Sequence, residues 1–197
     1  MYDYRKMNFE ERQRILAERR ALGLPLHAPP HLRGVPGEFL ITAACFEHRH
    51  IFEDPDDLSW LADQVLNGLT QAQLSHAAWV FLPNHYHLLL QTEDLRDVSE
   101  TLRLLHSRIA TEMNGRQKMR GRQVWYRFTD RLIRNDRHCW ATVNYIHFNP
   151  VKHGYVDQIQ DWAWSSVHDY SETQGTEWLE RVWKDFPVGD YGKGWDW

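Results

Sequence analysis

Apolar runs bounded by polar or turn-forming residues recur from residue 38 onward and predict strands. EFLITAACF (38–46) and AWVFLP (78–83) are rich in β-favouring residues, and HYHLLLQ (85–91) continues the second run or forms a third strand. The aromatic run VWYRF (124–128) predicts a further strand. We therefore expect about four strands.

Three stretches between and after these runs are predicted helices. The first, over about 55–75, follows an Asp-Pro pair, in which aspartate caps the helix and proline fits its first position. The second, over 98–113, is amphipathic. The third covers about 136–148 and is expected to stop before Pro150, because proline disfavours helical geometry in the residue that precedes it.

This order of elements predicts an α+β sandwich. We expect a ferredoxin-like βαββαβ core over residues 37–170, with an antiparallel sheet and helices on one face. Residues 1–36, a helix over 8–22 followed by a Pro/Gly-rich stretch, form a predicted N-terminal arm. Residues 171–197 form a predicted C-terminal aromatic tail packed on the domain. Large aromatic side chains bury much area, and six tryptophans are expected to anchor the C-terminal part: Trp162, Trp164, Trp178, Trp183, Trp195 and Trp197.

Composition excludes several classes of protein. With 42% hydrophobic and 25% charged residues, a chain of 197 residues can bury a core and is not mainly disordered. No apolar run reaches the roughly 18 residues that a membrane span needs, and the charged N-terminus is unlike a signal peptide. Cys45 and Cys139 are isolated, which argues against a disulfide framework and a thiolate zinc site. We expect a soluble cytoplasmic protein.

The net charge of −4 is unevenly distributed. Residues 47–100 carry 2 Lys/Arg and 10 Asp/Glu, whereas residues 101–137 carry 10 and 3, a local charge of +7. This basic block, interleaved with aromatics, is either a solvated surface or a DNA-binding surface whose cations contact phosphates and whose aromatics stack on bases. The candidate DNA-binding residues are Arg103, Arg108, Arg116, Lys118, Arg120, Arg122, Arg127, Arg131, Arg134, Arg137 and Trp125.

His85 and His87 are the sharpest chemical feature of the chain. On a strand, residues two apart project to one face, so both imidazoles can bind one metal ion. Such a pair is as often a surface or core pair without function. A histidine-triad nucleotide hydrolase would need a third histidine two residues on, where the chain has Leu89.

Tyr145 and Asn149 are four residues apart in the third predicted helix and therefore share a face. A tyrosine can act as a nucleophile and an asparagine carbonyl can bind a hard cation. Packing and a helix stop are the alternatives. With the histidine pair and the basic block, these residues would supply the parts of a metal-assisted phosphodiester cleavage by tyrosine.

Three segments resemble the REP-associated tyrosine transposases, which are single-tyrosine HUH nucleases related to the transposases of the smallest bacterial insertion sequences. The segments are PNHYHLLL, WYRFTDRLIRNDRHCWATVNYIHFNPVKHGYV and DWAWSSVHDY, in family order between about residues 38 and 170. The resemblance implies that His85, His87 and Asn149 bind Mg²⁺ or Mn²⁺, and that Tyr145 is the nucleophile.

The resemblance also implies the substrate and the reaction. The family acts on single-stranded DNA around hairpins of repetitive extragenic palindromes (REPs), leaving a 5′-phosphotyrosine and a free 3′-OH that can be rejoined. We expect a bacterial, nucleoid-associated protein that is a monomer or a weak dimer. The alternative is a domesticated relative that binds palindromic DNA hairpins without cleaving them.

Overall fold

The computed structural model describes residues 8–11, 13, 14, 17 and 36–192. Residues 9–11, 13, 14 and 17 are helical, inside the helix predicted over 8–22. Asn8 and Glu11 form a capping box there: each backbone N–H donates to the other residue's side chain, at 3.0 and 2.9 Å. The rest of the predicted arm, together with Trp195 and Trp197, lies outside the described residues, and the proposed boundaries of the arm and the tail stay predictions.

A four-stranded antiparallel sheet forms the centre of the fold, in the order β2-β3-β1-β4. The strands are β1 (Gly37–Ala44), β2 (Ser75–Leu82), β3 (His85–Thr92) and β4 (Thr129–Leu132). With the helices described next, the chain order through β4 is βαββαβ, and the predicted α+β class is confirmed; the ferredoxin-like arrangement is compatible with this sheet.

Within residues 36–192, five α-helices surround the sheet. Their bounds are α1 (Pro55–Gln71), α2 (Leu95–Arg116), α3 (Asp136–Lys152), α4 (Val167–Gln174) and α5 (Thr176–Asp185). Short 3₁₀ turns lie at Phe46–His48 and Ile159–Asp161. The side chains of Asp54, Asp94 and Asn135 cap the first three helices by accepting a backbone N–H of the first turn.

The helices cover both faces of the sheet. The predicted placement of the helices on one face of the sheet holds for α1 and α2. These two helices pack closely against each other, since a Cβ built on Gly68 of α1 would lie 2.4 Å from the Leu105 side chain of α2. Tyr86 contacts α2 through His106, whereas its neighbours His85 and His87 contact α3. Because successive strand residues project to opposite faces, α3 lies on the face opposite to α1 and α2.

Two predicted elements differ from the structure. Residues 124–128 are not a strand: Trp125 makes an isolated bridge to Cys45, and β4 begins only at Thr129, where regular pairing with β1 starts. Helix α3 does not stop before Pro150 but runs to Lys152, where the backbone N–H of His153 closes the last turn on the carbonyl of Asn149. Proline can be accommodated here because only its own missing N–H is lost near the helix end.

The chain after α3 returns to the sheet at β2. Ser165 bridges Val80, the indole N–H of Trp162 donates to the carbonyl of Phe81 at 2.8 Å, and Trp162 is buried. Further on, Trp178 packs edge-on against Trp140 of α3, with ring centroids 5.4 Å apart. No helix among the described residues is long and apolar enough to cross a membrane.

Candidate active site

The histidine pair occupies the start of strand β3. His85 and His87 lie two apart on one face of the sheet, both almost fully buried, with ring centroids 5.0 Å apart and the rings nearly perpendicular. β1 and β2 flank this strand on either side, so its backbone is fixed by hydrogen bonds to both neighbours. The pair is therefore held rigidly in the sheet rather than on a mobile loop.

Each histidine has a hydrogen-bond partner on the ring nitrogen nearer the sheet. Thr42 is directly opposite His87 on β1, and its Oγ1 lies 2.8 Å from His87 Nδ1. His85 Nδ1 lies 2.7 Å from Oδ1 of Asn84, in the β2–β3 turn. Such contacts fix which nitrogen carries the proton and how the ring is turned.

Helix α3 presents its candidate residues to the other ring nitrogens. Tyr145 Oη lies 3.4 Å from His87 Nε2, a long contact, and Asn149 Oδ1 lies 3.2 Å from His85 Nε2. Tyr145 and Asn149 are one helical turn apart, and the amide N–H of Asn149 donates to the carbonyl of Tyr145 at 3.2 Å. The structure thus brings together all four residues predicted as metal ligands and nucleophile.

The donor atoms fit a hard divalent cation. His85 Nε2 and Asn149 Oδ1 converge, and His87 Nε2 points to the same side of the sheet, facing Tyr145. Within the described part of the chain, no group of three or more His, Cys, Asp or Glu side chains is placed to hold a metal. A metal here would therefore depend on the amide oxygen of Asn149 as well as the two imidazoles. The amide oxygen is a donor that suits Mg²⁺ and Mn²⁺, whereas imidazoles also suit zinc and other transition metals.

Tyr145 is fully buried beneath the end of the described chain. The ring of Tyr191 packs edge-on against it at 5.5 Å, and a Cβ built on Gly192 would lie only 2.1 Å from the Tyr145 ring. Gly192 also has φ +77°, so both space and backbone geometry require glycine at this position. Lys152, seven residues after Tyr145 on the same helix, places its ammonium 5.0 Å from the centre of the ring.

Tyr191 is attached to the first turns of α3. Its hydroxyl lies 2.9 Å from His138 Nε2 and 2.5 Å from Thr142 Oγ1. Burial, followed by the nearby Arg131 and Arg134, lowers the pKa of His138. Burial raises the pKa of Tyr191, and the contact with the Thr142 hydroxyl lowers it by less. The contact between Tyr191 and α3 is thus one between neutral groups near neutral pH.

His147 is part of α3 but not of this site. Its Nε2 lies 2.9 Å from the hydroxyl of Ser166, which also contacts the backbone of Trp79 on β2. Burial, and next the neighbouring His168, lower its pKa to about 3. His147 therefore attaches α3 to the edge strand of the sheet as a neutral side chain.

The predicted DNA-binding residues are spread over α2, the loop after it, β4 and the start of α3. Arg103 and Arg116 are exposed and pair with Glu100 and Glu112 of their own helix. Arg122 is half-buried and bonds to Asn114. The remaining basic side chains are exposed: Arg108, Lys118, Arg120, Arg127, Arg131, Arg134 and Arg137.

Trp125 is a core residue rather than a surface platform. Only 8% of it is exposed, and its indole stacks on His106 at 4.4 Å and on Phe52 at 5.4 Å. A tryptophan that stacks on a DNA base must be accessible, whereas the Trp125 ring is already packed against His106 of α2. We therefore leave Trp125 out of the proposed DNA contacts.

The sequence prediction missed several residues of this site. Asn84 adjoins the histidine motif and Lys152 follows Tyr145 by seven residues, so sequence spacing could have indicated both. No such signal in the sequence indicated Thr42 or Tyr191. Thr42 reaches the site through the register of β1 against β3, and Tyr191 reaches it because the segment after α5 packs on Tyr145.

The fold and the site define a class: a ferredoxin-like protein in which a His-x-His pair on a central strand faces a helix that carries tyrosine and asparagine. No protein-family model matches the chain. It is 37% identical over 97 residues to a candidate REP-associated tyrosine transposase of Haemophilus influenzae, a match covering 44% of this chain and 55% of that protein. It is 37% identical over 93 residues to the REP-associated tyrosine transposase of Escherichia coli, covering 46% and 53%.

A comparison with solved structures finds a protein of the same description. A REP-associated tyrosine transposase bound to a REP hairpin superposes with a TM-score of 0.59 and 25% sequence identity, over 75% of this chain and 86% of that one. The chain spans about half the length of the curated relatives it matches. The resemblance predicted from the sequence is confirmed: the chain is similar to REP-associated tyrosine transposases both in sequence and in structure.

Proposed function

We propose that this protein is a metal-dependent, single-stranded DNA transesterase that cleaves and rejoins DNA beside palindromic hairpins. The observation that supports this most is the meeting of the two imidazoles, Tyr145 and Asn149 within 3.2–3.4 Å contacts across two elements distant in sequence. A packing role alone does not require two buried histidines, a tyrosine and an amide to converge at one point of the core.

The proposed reaction is an in-line displacement at phosphorus. The phenolic oxygen of Tyr145 attacks the phosphate, the bond between phosphorus and the 3′-oxygen breaks, and the products are a 5′-phosphotyrosine and a 3′-OH that takes up a proton. The reverse attack by a 3′-OH rejoins the strands without a nucleotide cofactor. An ordinary phenol has a pKa near 10, so the nucleophile needs help at neutral pH.

The residues of the chain would divide this work. His85, His87 and Asn149 would hold Mg²⁺ or Mn²⁺, which when bound neutralises a phosphate oxygen and contributes several kcal/mol of charge stabilisation. Lys152, 5.0 Å from the Tyr145 ring, favours the phenolate electrostatically. The strand and helix that carry these groups keep the phenol oriented toward the scissile phosphate.

DNA can reach Tyr145 only if the segment over 188–192 moves, because Tyr191 and Gly192 cover the ring. A solved relative is bound to a REP hairpin, and we propose the same kind of partner here, with exposed Arg and Lys of the basic block on its phosphates. We further propose a monomer or weak dimer, acting on nucleoid DNA in a bacterial cytoplasm.

The test is a denaturing gel of protein mixed with single-stranded hairpin oligonucleotides and Mn²⁺. The proposal predicts cleavage and a DNA-linked protein band that disappear with a chelator and in Tyr145→Phe. Cleavage that survives the Tyr145→Phe substitution would mean that water or another group attacks, and the proposal would be wrong.

A hairpin-binding protein without nuclease activity is the second candidate, and the burial of Tyr145 under Tyr191 and Gly192 favours it. It predicts tight hairpin binding with no product in Mn²⁺, even after Tyr191→Ala uncovers the ring. Cleavage by the Tyr191→Ala variant would exclude this alternative.

A further inference from the structure

Asn84 lies in the two-residue turn between β2 and β3, directly before His85, and contacts the nitrogen of that ring that faces away from α3. His85 Nδ1 is 2.7 Å from Oδ1 of Asn84, and Nε2 of the same ring is 3.2 Å from Oδ1 of Asn149. The atoms in these two contacts are both amide oxygens, which accept hydrogen bonds and do not donate them.

Neither amide can rotate to offer its N–H₂ group instead. The Asn84 amide donates to the carbonyl of His48 at 3.3 Å, and the Asn149 amide donates to the carbonyl of Tyr145 at 3.2 Å. Turning either amide over would place its oxygen against a backbone carbonyl, two acceptors facing each other. The positions of both oxygens beside His85 are therefore fixed by their own neighbours.

Three hydrogen bonds join the turn that carries Asn84 to the segment after β1, and one of them is the contact of the Asn84 amide with the His48 carbonyl. The backbone N–H of Phe52 donates to the carbonyl of Pro83 at 3.0 Å, and that of Cys45 donates to the carbonyl of Asn84 at 2.7 Å. The His48 carbonyl is presented by two consecutive left-handed residues, Glu47 at φ 57° and His48 at φ 51°. Non-glycine residues rarely adopt this geometry, and they do so only where the surroundings impose it.

A neutral imidazole carries one N–H, so only one of the two contacts of His85 can be a hydrogen bond. The 2.7 Å contact to Asn84 is short enough to require a donor, whereas 3.2 Å is at the long end of the range. We propose that Asn84 is a positioning residue that keeps the proton of His85 on Nδ1. The lone pair of Nε2 is then directed, together with Asn149 Oδ1, toward a divalent cation.

This inference rests on the proposed metal site but is tested first without metal or DNA. Protein labelled with ¹⁵N-histidine, in chelator at pH 8, reports by long-range ¹H–¹⁵N correlation which nitrogen of His85 is protonated. We expect Nδ1 in the wild type and in Asn84→Asp, whose carboxylate still accepts the proton. In Asn84→Leu the proton should move to Nε2, where Asn149 Oδ1 accepts it.

Thr42→Val is the matched control, because it removes the Nδ1 partner of His87 and leaves Asn84 in place. It should leave the protonation of His85 unchanged. Circular dichroism shows whether each variant folds, and Asn84→Ala replaces Asn84→Leu if the larger side chain is not accommodated.

Mn²⁺ titration gives the second reading. Losing the hydrogen-bond partner of a metal-binding histidine weakens metal affinity by about 10–100-fold. We expect a loss of this size in Asn84→Leu, and in Asn84→Asp an affinity closer to that of the wild type. A wild-type proton on Nε2, or an unchanged proton on Nδ1 in Asn84→Leu, would overturn the inference. Neither reading depends on DNA cleavage, so failure of the proposed function is recognised separately.

Discussion

The two faces of strand β3 are built from neighbouring residues but are held by different forces. On the face toward α2, Tyr86 packs on Phe81 and Trp125 with ring centroids 5.3 and 5.8 Å apart, and Leu88 is fully buried. On the face toward α3, His85 and His87 are equally buried, yet each is surrounded by polar partners. One strand therefore supplies core packing on one side and candidate chemistry on the other.

Tyr86 and His106, on the α2 face, form a buried polar pair that we interpret as structural. The Tyr86 hydroxyl lies 2.6 Å from His106 Nε2. Burial, and secondarily the nearby Cys45, raise the pKa of Tyr86 far above its ordinary value, while burial lowers the pKa of His106 to about 4. This pair satisfies its own hydrogen-bond needs, whereas on the α3 face His85 Nε2 lies 3.2 Å from Asn149 Oδ1, next to the contact of Tyr145 with His87. The convergence of donors, not burial, distinguishes the candidate site.

The largest expected difference is between the two tyrosines. Tyr145→Phe should abolish the DNA-linked product, a loss of at least about a thousandfold, because it removes the proposed nucleophile. Its effect on stability should be small, since the contact of the hydroxyl with His87 Nε2 is long, at 3.4 Å. Tyr86→Phe should do the reverse: leave cleavage per folded molecule unchanged and cost about 1–3 kcal/mol of stability, because His106 loses its buried partner. Cleavage gels and urea unfolding of both variants measure the pair.

The histidines provide the next comparison. His87→Gln should weaken Mn²⁺ binding by more than about tenfold, because it removes one of the three proposed ligands. His106→Gln, on the α2 face, should leave the Mn²⁺ affinity unchanged while lowering the unfolding midpoint. Calorimetric titration with Mn²⁺ checks both. Equal losses of affinity in the two variants would mean that the effect is general destabilisation and not ligand removal.

Acid should destabilise the protein through its buried neutral histidines. The unfolded chain binds a proton on His147 near its ordinary pKa of 6.5, whereas the folded chain excludes it until about pH 3. Protons therefore favour unfolding, and the free energy of unfolding should fall below pH 6.5 by roughly 1 kcal/mol per pH unit for each such histidine. His106, with a pKa near 4, adds to this from the other face. Urea unfolding at pH 7 and pH 5 should show a smaller difference in His147→Gln, and an unchanged difference would contradict the assignment.

The smallest effect concerns the cover over Tyr145. Tyr191→Ala removes the ring packed at 5.5 Å and the hydroxyl contacts to His138 and Thr142. We expect cleavage of a hairpin oligonucleotide to become several-fold faster, because the buried nucleophile is exposed more often. Val182→Ala, which truncates a buried side chain of α5 and leaves Tyr191 in place, is the control for loosened packing in general. A rate that rises equally in both variants would argue against a specific cover.

The sequence predicted the strands of the core and the residues of the site because both have local signatures. Alternation within His85-Tyr86-His87 and the four-residue spacing of Tyr145 and Asn149 determine shared faces before any tertiary contact forms. Where tertiary contacts decide, prediction failed: the run over 124–128 was expected to pair as a strand, yet stacking of Trp125 on His106 makes it core packing. Pro150 likewise lies within α3 rather than after it. Thr42 and Tyr191 reach the site only through strand register and chain return.

The most direct measurement is mass spectrometry of the DNA-linked peptide after reaction with a hairpin oligonucleotide in Mn²⁺ and proteolysis. The account predicts one modified peptide, which carries a 5′-linked nucleotide on Tyr145 within YIHFNPVK, and an oligonucleotide fragment that ends in a 3′-OH. A cleaved strand with a free 5′-phosphate and no linked peptide, or a nucleotide on a different residue, would contradict it.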